Sequence, residues 1–169
     1  SVLLAACGPD LETDEGLRQA LTDPSEPSGV AQAMSVIEAM PVARQKEFTG
    51  DMVALYSSDR APAGLFDYLV RLRDPAAKKV YAAVMRDRDA DIQQRSKAVI
   101  ALGDIKATDM VDDMSTVFRK VANEDLRKSI LTSFTAMPDA SQFPLVLEIL
   151  KDYDPDREPI AYHAYACEV

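Results

Sequence analysis

Apolar residues recur three and four positions apart along most of this chain, and clusters of polar turn residues interrupt the pattern. Val80, Tyr81, Val84 and Met85 show the spacing in one stretch. Such spacing places apolar side chains on one face of a helix, whereas a half-buried strand requires alternation of apolar and polar residues. Because no sustained alternation occurs, the pattern predicts an all-α protein.

The helical pattern repeats with a period of about 33 residues, a length typical of arrays of helical hairpins. Four segments align without gaps, starting at Val42, Pro75, Thr108 and Ser141. One hairpin of two helices cannot bury its apolar face alone, so such repeats indicate stacked hairpins. Three aligned positions are apolar in every segment and are predicted to be buried: Phe48, Tyr81, Met114 and Leu147; Leu65, Ala98, Leu131 and Ala164; Tyr68, Ala101, Phe134 and Cys167.

Each segment divides into two helices joined by a polar turn. Capping residues predict where the first helices begin, because their side chains accept free N–H groups of the first turn. These residues are Asp74 before Pro75, then Thr108 or Asp109, then Ser141. The predicted turns are Asp87–Asp91, Asn123–Asp125 and Asp152–Asp156, each followed by a second helix.

The same pattern extends upstream of these segments. It predicts one pair of helices over Leu11–Leu21 and Gly29–Met40, and a second pair over Val42–Ser57 and Pro62–Arg73. Gly50 and Gly64 fall inside the second pair, where each lowers helix stability by about 1 kcal/mol relative to Ala. The whole pattern therefore predicts a right-handed α-solenoid of about five stacked helical hairpins.

The hairpin that begins at Pro75, the third of the five, carries a family resemblance. Asp91–Ile105 has an acidic start, Arg95 four residues on, small Ala98 for close helix packing, and Leu-Gly before an aliphatic residue. This stretch resembles the second helix of a short HEAT repeat, and Arg127 repeats the basic position in the next hairpin. The first two hairpins and the last one lack that basic residue. The resemblance implies a curved solenoid whose inner face holds another macromolecule.

A second resemblance lies at Leu4-Ala5-Ala6-Cys7, which is similar to the lipobox of bacterial lipoproteins. In that family the cysteine receives a diacylglycerol and the signal is cut before it. The apolar run that contains these residues is too short to span a bilayer, which takes about 20 residues, and it is typical of the end of a secretion signal. Because the chain starts with Ser1, we expect the upstream part of the signal to be missing.

The lipobox resemblance sets the expected organisation of the chain. Residues 1–6 are interpreted as a signal-peptide remnant, 7–10 as lipid anchor and tether, and 11–169 as the HEAT-like repeat domain. Gly8 stands where Asp retains such proteins at the inner membrane. We therefore expect Cys7 to be lipidated and the protein to face the periplasm from the outer membrane.

Composition excludes several function classes. The net charge of −9 argues against binding to nucleic acid and favours a protein partner with basic patches. His163 is the single histidine, which excludes sites with two imidazole ligands, and Cys7 and Cys167 cannot form a CxxC zinc site. No phosphate-binding loop or Ser–His–Asp order is present. We therefore expect no catalytic residues, no metal and no cofactor.

Some residues could still carry chemistry. The acidic strings Asp87, Asp89, Asp91 and Asp152, Asp154, Asp156 resemble calcium loops, but both lack the Gly at position six and the Glu at position twelve. We interpret them as turns that favour the next helix N-terminus. His163 is assigned a surface or packing role, Cys167 a buried thiol, and Asp112 and Asp113 a solvated helix face. The methionines are assigned to the core, with Met110 or Met114 alternatively exposed at an interface.

These features favour a non-enzymatic, lipid-anchored scaffold that binds a protein partner. One alternative is a lyase-like or chaperone-like module of the short-HEAT class, with a ligand groove lined by Phe66, Tyr68, Tyr81 and Phe118. The other alternative is a permanent accessory subunit of a membrane complex, which a contiguous exposed apolar patch would favour.

Overall fold

The computed structural model describes residues 9–23, 27–58 and 60–151. Within those ranges all regular secondary structure is helical and no strand occurs, which confirms the all-α class. The chain divides between Ala77 and Lys78 into two compact units, here the N-terminal unit and the C-terminal unit.

The N-terminal unit packs its helices around a core that includes Leu17, Phe48 and Leu69. Ion pairs join helices across this unit, Arg18 to Asp51 at 2.5 Å among them. Its helices are α1 (Asp14–Thr22), α2 (Pro27–Glu38), α3 (Val42–Gln45), α4 (Thr49–Tyr56) and α5 (Leu65–Leu72), with 3-10 turns at Lys46–Phe48 and Pro75–Ala77.

The C-terminal unit contains two clear helical hairpins. Its helices are α6 (Lys78–Arg86), α7 (Ile92–Asp104), α8 (Val111–Lys120), α9 (Glu124–Ala136) and α10 (Phe143–Lys151), with 3-10 turns at Thr108–Met110 and Ala140–Gln142. Helix α6 pairs with α7, α8 pairs with α9, and α7 packs along α9. The predicted second helices of the segments that begin at Pro75 and Thr108 are thus confirmed, although α9 begins at Glu124, inside the predicted turn.

The contact between α7 and α9 is close because a glycine faces a serine. A Cβ atom added at Gly103 would stand 2.8 Å from Cβ and 2.9 Å from Cα of Ser133. Ser133 Oγ also donates a hydrogen bond to the carbonyl of Val99 at 2.9 Å. The small residues Gly103 and Ser133 therefore allow the backbones of α7 and α9 to approach each other.

Ion pairs join the successive first helices of the C-terminal unit. Arg86 of α6 contacts Asp113 of α8. Arg119 of α8 contacts Glu148 of α10 at 2.8 Å. All four side chains are partly exposed, so each pair contributes about 0–1 kcal/mol.

One of the predicted helix caps, Asp74, is confirmed, and Asp91 supplies a further cap. The carboxylate of Asp74 accepts the backbone N–H of Ala76 at 2.9 Å, directly before the 3-10 turn that leads into α6. The carboxylate of Asp91 accepts the N–H of Gln93 at 2.7 Å and opens α7.

The other two predicted caps were wrong. No side chain caps the 3-10 turn at Thr108–Met110, and the carboxylate of Asp109 instead accepts a hydrogen bond from Lys78 at 2.7 Å, which lowers the pKa of Asp109. Asp139, not Ser141, caps the turn before α10. It accepts hydrogen bonds from the N–H and hydroxyl of Ser141, and these lower the pKa of Asp139.

The gapless alignment of the four segments was also wrong in part. The 3-10 turns at Pro75 and Thr108 begin where their segments begin, but the last such turn begins at Ala140, one residue before Ser141. The interval from the start of α8 to the start of α10 is also one residue shorter than the interval from the start of α6 to the start of α8. One missing residue turns the next helix by about 100° about its axis. Leu147 is therefore 51% exposed, and Val146 takes the buried position.

The remaining described residues of the three aligned positions are buried, as predicted: Phe48, Tyr81, Met114, Leu65, Ala98, Leu131, Tyr68, Ala101 and Phe134. Ala164 and Cys167 lie outside the described residues.

Two predictions for the second upstream pair of helices were wrong. The stretch from Val42 is not one helix, because Phe48 adopts φ −99° and ψ 1° and separates α3 from α4 while its ring is fully buried. Gly64 lies before α5 rather than inside it, with a φ of +89° that favours glycine. Gly50 does lie within α4.

We predict that Gly103→Ala lowers the free energy of unfolding by about 1–3 kcal/mol, because the new methyl group forces α7 away from α9. Chemical denaturation measures the change. Gly50→Ala is the matched control, because nothing lies within 4 Å of its added Cβ, and we expect it to be neutral or stabilising by up to about 1 kcal/mol. Equal stability of the two variants would contradict the prediction.

Candidate functional site

Several predicted residues lie outside the part of the chain that the structure describes. Cys7, the predicted lipidation site, is one of them, so it stays a prediction from the sequence. The same holds for the second acidic string and for two single residues of the last segment: Asp152, Asp154, Asp156, Glu158, His163 and Cys167.

The first acidic string forms a turn and a helix cap, as predicted. The carboxylate of Asp87 accepts the backbone N–H of Asp89 at 2.9 Å, and Asp91 caps α7. These hydrogen bonds hold the carboxylates to the backbone of their own turn. Across residues 9–23, 27–58 and 60–151, no group of three or more His, Cys, Asp or Glu residues is arranged to hold a metal ion.

The aromatic residues proposed for a lyase-like groove are buried. Phe66 and Tyr68 belong to the core of the N-terminal unit, and Tyr81 and Phe118 to the core of the C-terminal unit. Their burial is consistent with a role in packing, and Tyr68 also lines a small cleft of the N-terminal unit.

The two methionines proposed as exposed alternatives are buried in the C-terminal unit. Met110 and Met114 both lie in its core, so the alternative that placed either of them on an exposed interface was wrong. The solvated face at Asp112 is exposed as predicted, whereas Asp113 is partly buried and paired with Arg86.

A small cleft of about 260 Å³ lies beside Tyr68 in the N-terminal unit. The Tyr68 hydroxyl donates a hydrogen bond to Gln45 Oε1 at 2.8 Å, and Gln45 donates to the carbonyl of Met40 at 2.7 Å. Burial raises the pKa of Tyr68 to about 12, and the negative charge of Glu38 adds to the effect. Glu38 is the one acidic residue that lines this cleft, so the cleft does not bring several carboxylates together.

A larger cleft of about 680 Å³ lies in the C-terminal unit, where α6 ends, α7 begins and α8 ends. We call it the basic cleft, because four of its lining residues are cationic and one is acidic, in a chain whose net charge is −9. It is lined by Arg86, Arg88, Arg95, Asp113, Thr116, Val117, Lys120, Val121 and Ala122.

The buried cation of the basic cleft also holds the fold together. Arg95 is 7% exposed, and its Nε donates a hydrogen bond to the carbonyl of Met85 at 3.1 Å, near the end of α6. That carbonyl belongs to the last turn of the helix, which leaves such groups without helical partners. Arg127 plays a similar role in the next hairpin. It donates to the carbonyl of Val121 at 2.8 Å and lies over the ring of Phe118.

The remaining cations stand at the rim of the basic cleft. Arg86 pairs with Asp113, whereas Arg88 and Lys120 are exposed and form no hydrogen bond or ion pair within the described part of the chain. Val117 is buried and Val121 is partly buried, so the cleft also offers apolar surface. An open cleft with cationic and apolar lining can hold a ligand that carries both acidic and apolar groups.

Sequence reasoning missed the basic cleft. The sequence carries no local excess of positive charge at this point, because Asp87, Asp89 and Asp91 balance Arg86, Arg88 and Arg95. Lys120 lies in another helix, and only the packing of the two hairpins brings it to the same cleft.

No family model, no curated protein and no solved structure matches this chain. Among the helices of the described ranges, none has the length and apolar character needed to cross a bilayer. The basic cleft is therefore defined as a candidate site by its geometry and charge.

We predict that Arg95→Met lowers the free energy of unfolding by about 1–3 kcal/mol, because it leaves the buried carbonyl of Met85 without its donor. Arg88→Met is the matched control from the same cleft, and we expect a change within about 0.5 kcal/mol. Urea denaturation of the two variants measures the difference. A comparable loss in both would show that Arg95 has no special structural role.

We predict that ionisation of Tyr68 destabilises the fold at high pH. The pKa of Tyr68 is about 12 in the folded chain and 10.0 in the unfolded chain. The neutral hydroxyl therefore contributes its full share of the free energy of unfolding below pH 10, and this contribution is lost as the pH rises through 12. The loss amounts to about 2–3 kcal/mol. Unfolding free energies of the wild type should fall more steeply between these values than those of Tyr68→Phe. Parallel curves would refute this assignment.

Proposed function

We propose that this chain is a lipid-anchored, non-enzymatic scaffold of the bacterial cell envelope that binds a protein partner. The anchoring part rests on Leu4-Ala5-Ala6-Cys7, followed by Gly8, which favours the outer membrane facing the periplasm. Several acyl chains hold a protein stably at a bilayer, because each buried methylene contributes about 0.8 kcal/mol.

We infer that the helical hairpins form a HEAT-like, right-handed solenoid. A 3-10 turn precedes α4, α6, α8 and α10, at Lys46, Pro75, Thr108 and Ala140, and this recurrence supports a repeated unit. The close contact of Gly103 with Ser133 supports stacking of successive second helices in the C-terminal unit. Such arrays present extended surfaces to other macromolecules.

The observation that carries the binding part of the proposal is the basic cleft. It leaves Arg88 and Lys120 exposed, and unpaired within the described residues, beside the apolar side chains of Val117 and Val121. Cations that serve only solubility are not expected to cluster, unpaired, around apolar side chains. Protein partners use such combinations, with apolar contacts at the centre and charges at the rim.

The short tether at Gly8–Asp10 supports a position close to the bilayer. The net charge of −9 opposes flat adsorption of the repeats on anionic headgroups. The binding surface would then remain accessible to proteins of the periplasm, with no role for nucleic acid.

A specific observation favours a second candidate, an accessory subunit of a membrane complex. Phe143 and Leu147 lie one turn apart on α10 and are 62% and 51% exposed. Two large apolar side chains on one helix face are a feature of permanent interfaces. The two candidates share the anchor at Cys7 and differ in the permanence of the assembly.

We predict that Cys7→Ser moves the protein from the membrane to the soluble periplasmic fraction, because position 7 then lacks the thiol that receives the diacylglycerol. The chain is expressed behind a complete lipoprotein signal sequence in a Gram-negative host, and the fractions are read by immunoblot and by incorporation of labelled palmitate. Cys167→Ser is the matched control and should remain at the membrane with its label. Membrane retention of labelled Cys7→Ser would overturn the anchor.

A further inference from the structure

We propose that the basic cleft binds an acidic peptide segment of the protein partner. Carboxylates of that segment meet Arg88 and Lys120, and an aliphatic side chain between them contacts Val117 and Val121. This inference rests on the proposed scaffold function, and at this cleft it replaces the basic patches expected from the net charge of −9 with an acidic segment of the partner.

The charges that line the cleft leave a positive excess. Asp113 is its one acidic lining residue and is already paired with Arg86. Arg88 and Lys120 keep their charges without any acidic partner in the described chain, and Arg95 adds a buried charge behind them. Carboxylates are suitable partners for these cations, because ionised donors and acceptors form stronger hydrogen bonds than neutral pairs. Arginine can also bind one carboxylate with two parallel hydrogen bonds.

The helix ends around the cleft favour a peptide over a compact phosphate. Phosphate sites usually use free N–H groups at a helix N-terminus. Here α6 and α8 present their C-terminal ends, which offer carbonyl groups and no free N–H groups to a phosphate. The N-terminus of α7 lies nearby, but the carboxylate of Asp91 already occupies its first N–H groups. Single carboxylates spread along a peptide can contact the rim cations separately.

The size and lining of the cleft fit a short peptide segment. Its volume of about 680 Å³ is within the range of binding clefts, which is about 300–1,000 Å³. Val117 and Val121 provide apolar contact that a small inorganic anion would not use. The rest of the chain is acidic and repels an acidic partner, so binding is restricted to this cleft. The unfavourable contacts elsewhere add to the specificity of binding.

A peptide selection tests the proposal while the partner itself is unidentified. The folded full chain is immobilised, random short peptides displayed on phage are selected against it at physiological ionic strength, and the enriched peptides are synthesised. We expect them to be rich in Asp and Glu with aliphatic residues between. Enrichment of basic or uncharged sequences, or of none, would overturn the proposal.

Charge-reversed variants then locate the binding site. Arg88→Glu combined with Lys120→Glu should weaken binding of the selected peptides by at least about tenfold. The matched control combines Lys79→Glu with Lys151→Glu, which changes the net charge of the chain by the same amount at lysines that do not line the cleft. The control should bind within about twofold of the wild type. Equal weakening in both variants would show that only the overall charge matters and would refute the cleft.

Titration with inorganic phosphate separates a peptide from a free anion. We expect phosphate at physiological concentrations neither to displace the selected peptides nor to bind measurably by calorimetry. Tight phosphate binding that Arg88→Glu with Lys120→Glu removes would assign the cleft to a small anion and overturn the peptide proposal.

The outcomes also separate this inference from the scaffold function. Selection of basic peptides that bind elsewhere on the chain would refute the acidic class and leave the scaffold standing. Selection of no peptide would count against both the inference and the binding part of the scaffold. Fractionation of Cys7→Ser tests the anchor independently of either result.

Discussion

The described helices of this chain are too short to be stable alone, and this constraint governs the rest of the structure. The longest of them, α7 and α9, have 13 residues each, near the length at which isolated helices remain marginal in water. Each helix must therefore bury its apolar face against neighbours. The chain meets the constraint with hairpins, and the fully buried side chains of Tyr81, Met85, Leu102 and Phe134 lie in the core of the C-terminal unit.

The basic cleft follows from the same packing. Two hairpins meet at the end of α6 and the end of α8, where helix ends leave carbonyl groups to be satisfied. Arg95 satisfies one of them and at the same time contributes positive charge to the cleft. One residue thus serves stability and surface chemistry together. Arg127 takes the same structural part in the next hairpin, with its charge over the ring of Phe118.

Local patterns predicted the helical class, the cap at Asp74, the turn at Asp87–Asp91 and most buried positions, because helical periodicity depends only on residues close together in the sequence. The wrong or missing predictions concern features that depend on distant parts of the chain, or on a repeat that is shorter by one residue. Leu147 was misplaced because the hairpin of α8 and α9 is one residue shorter than the hairpin before it. The basic cleft was missed because Lys120 joins the arginines only after the hairpins pack.

The two layers of the C-terminal unit differ in their response to ionic strength. Exposed ion pairs between α6, α8 and α10 weaken when salt screens them, whereas the close contact between α7 and α9 does not depend on screening. Added salt therefore loosens the pairing of the first helices, while the Gly103–Ser133 contact still holds the second helices together.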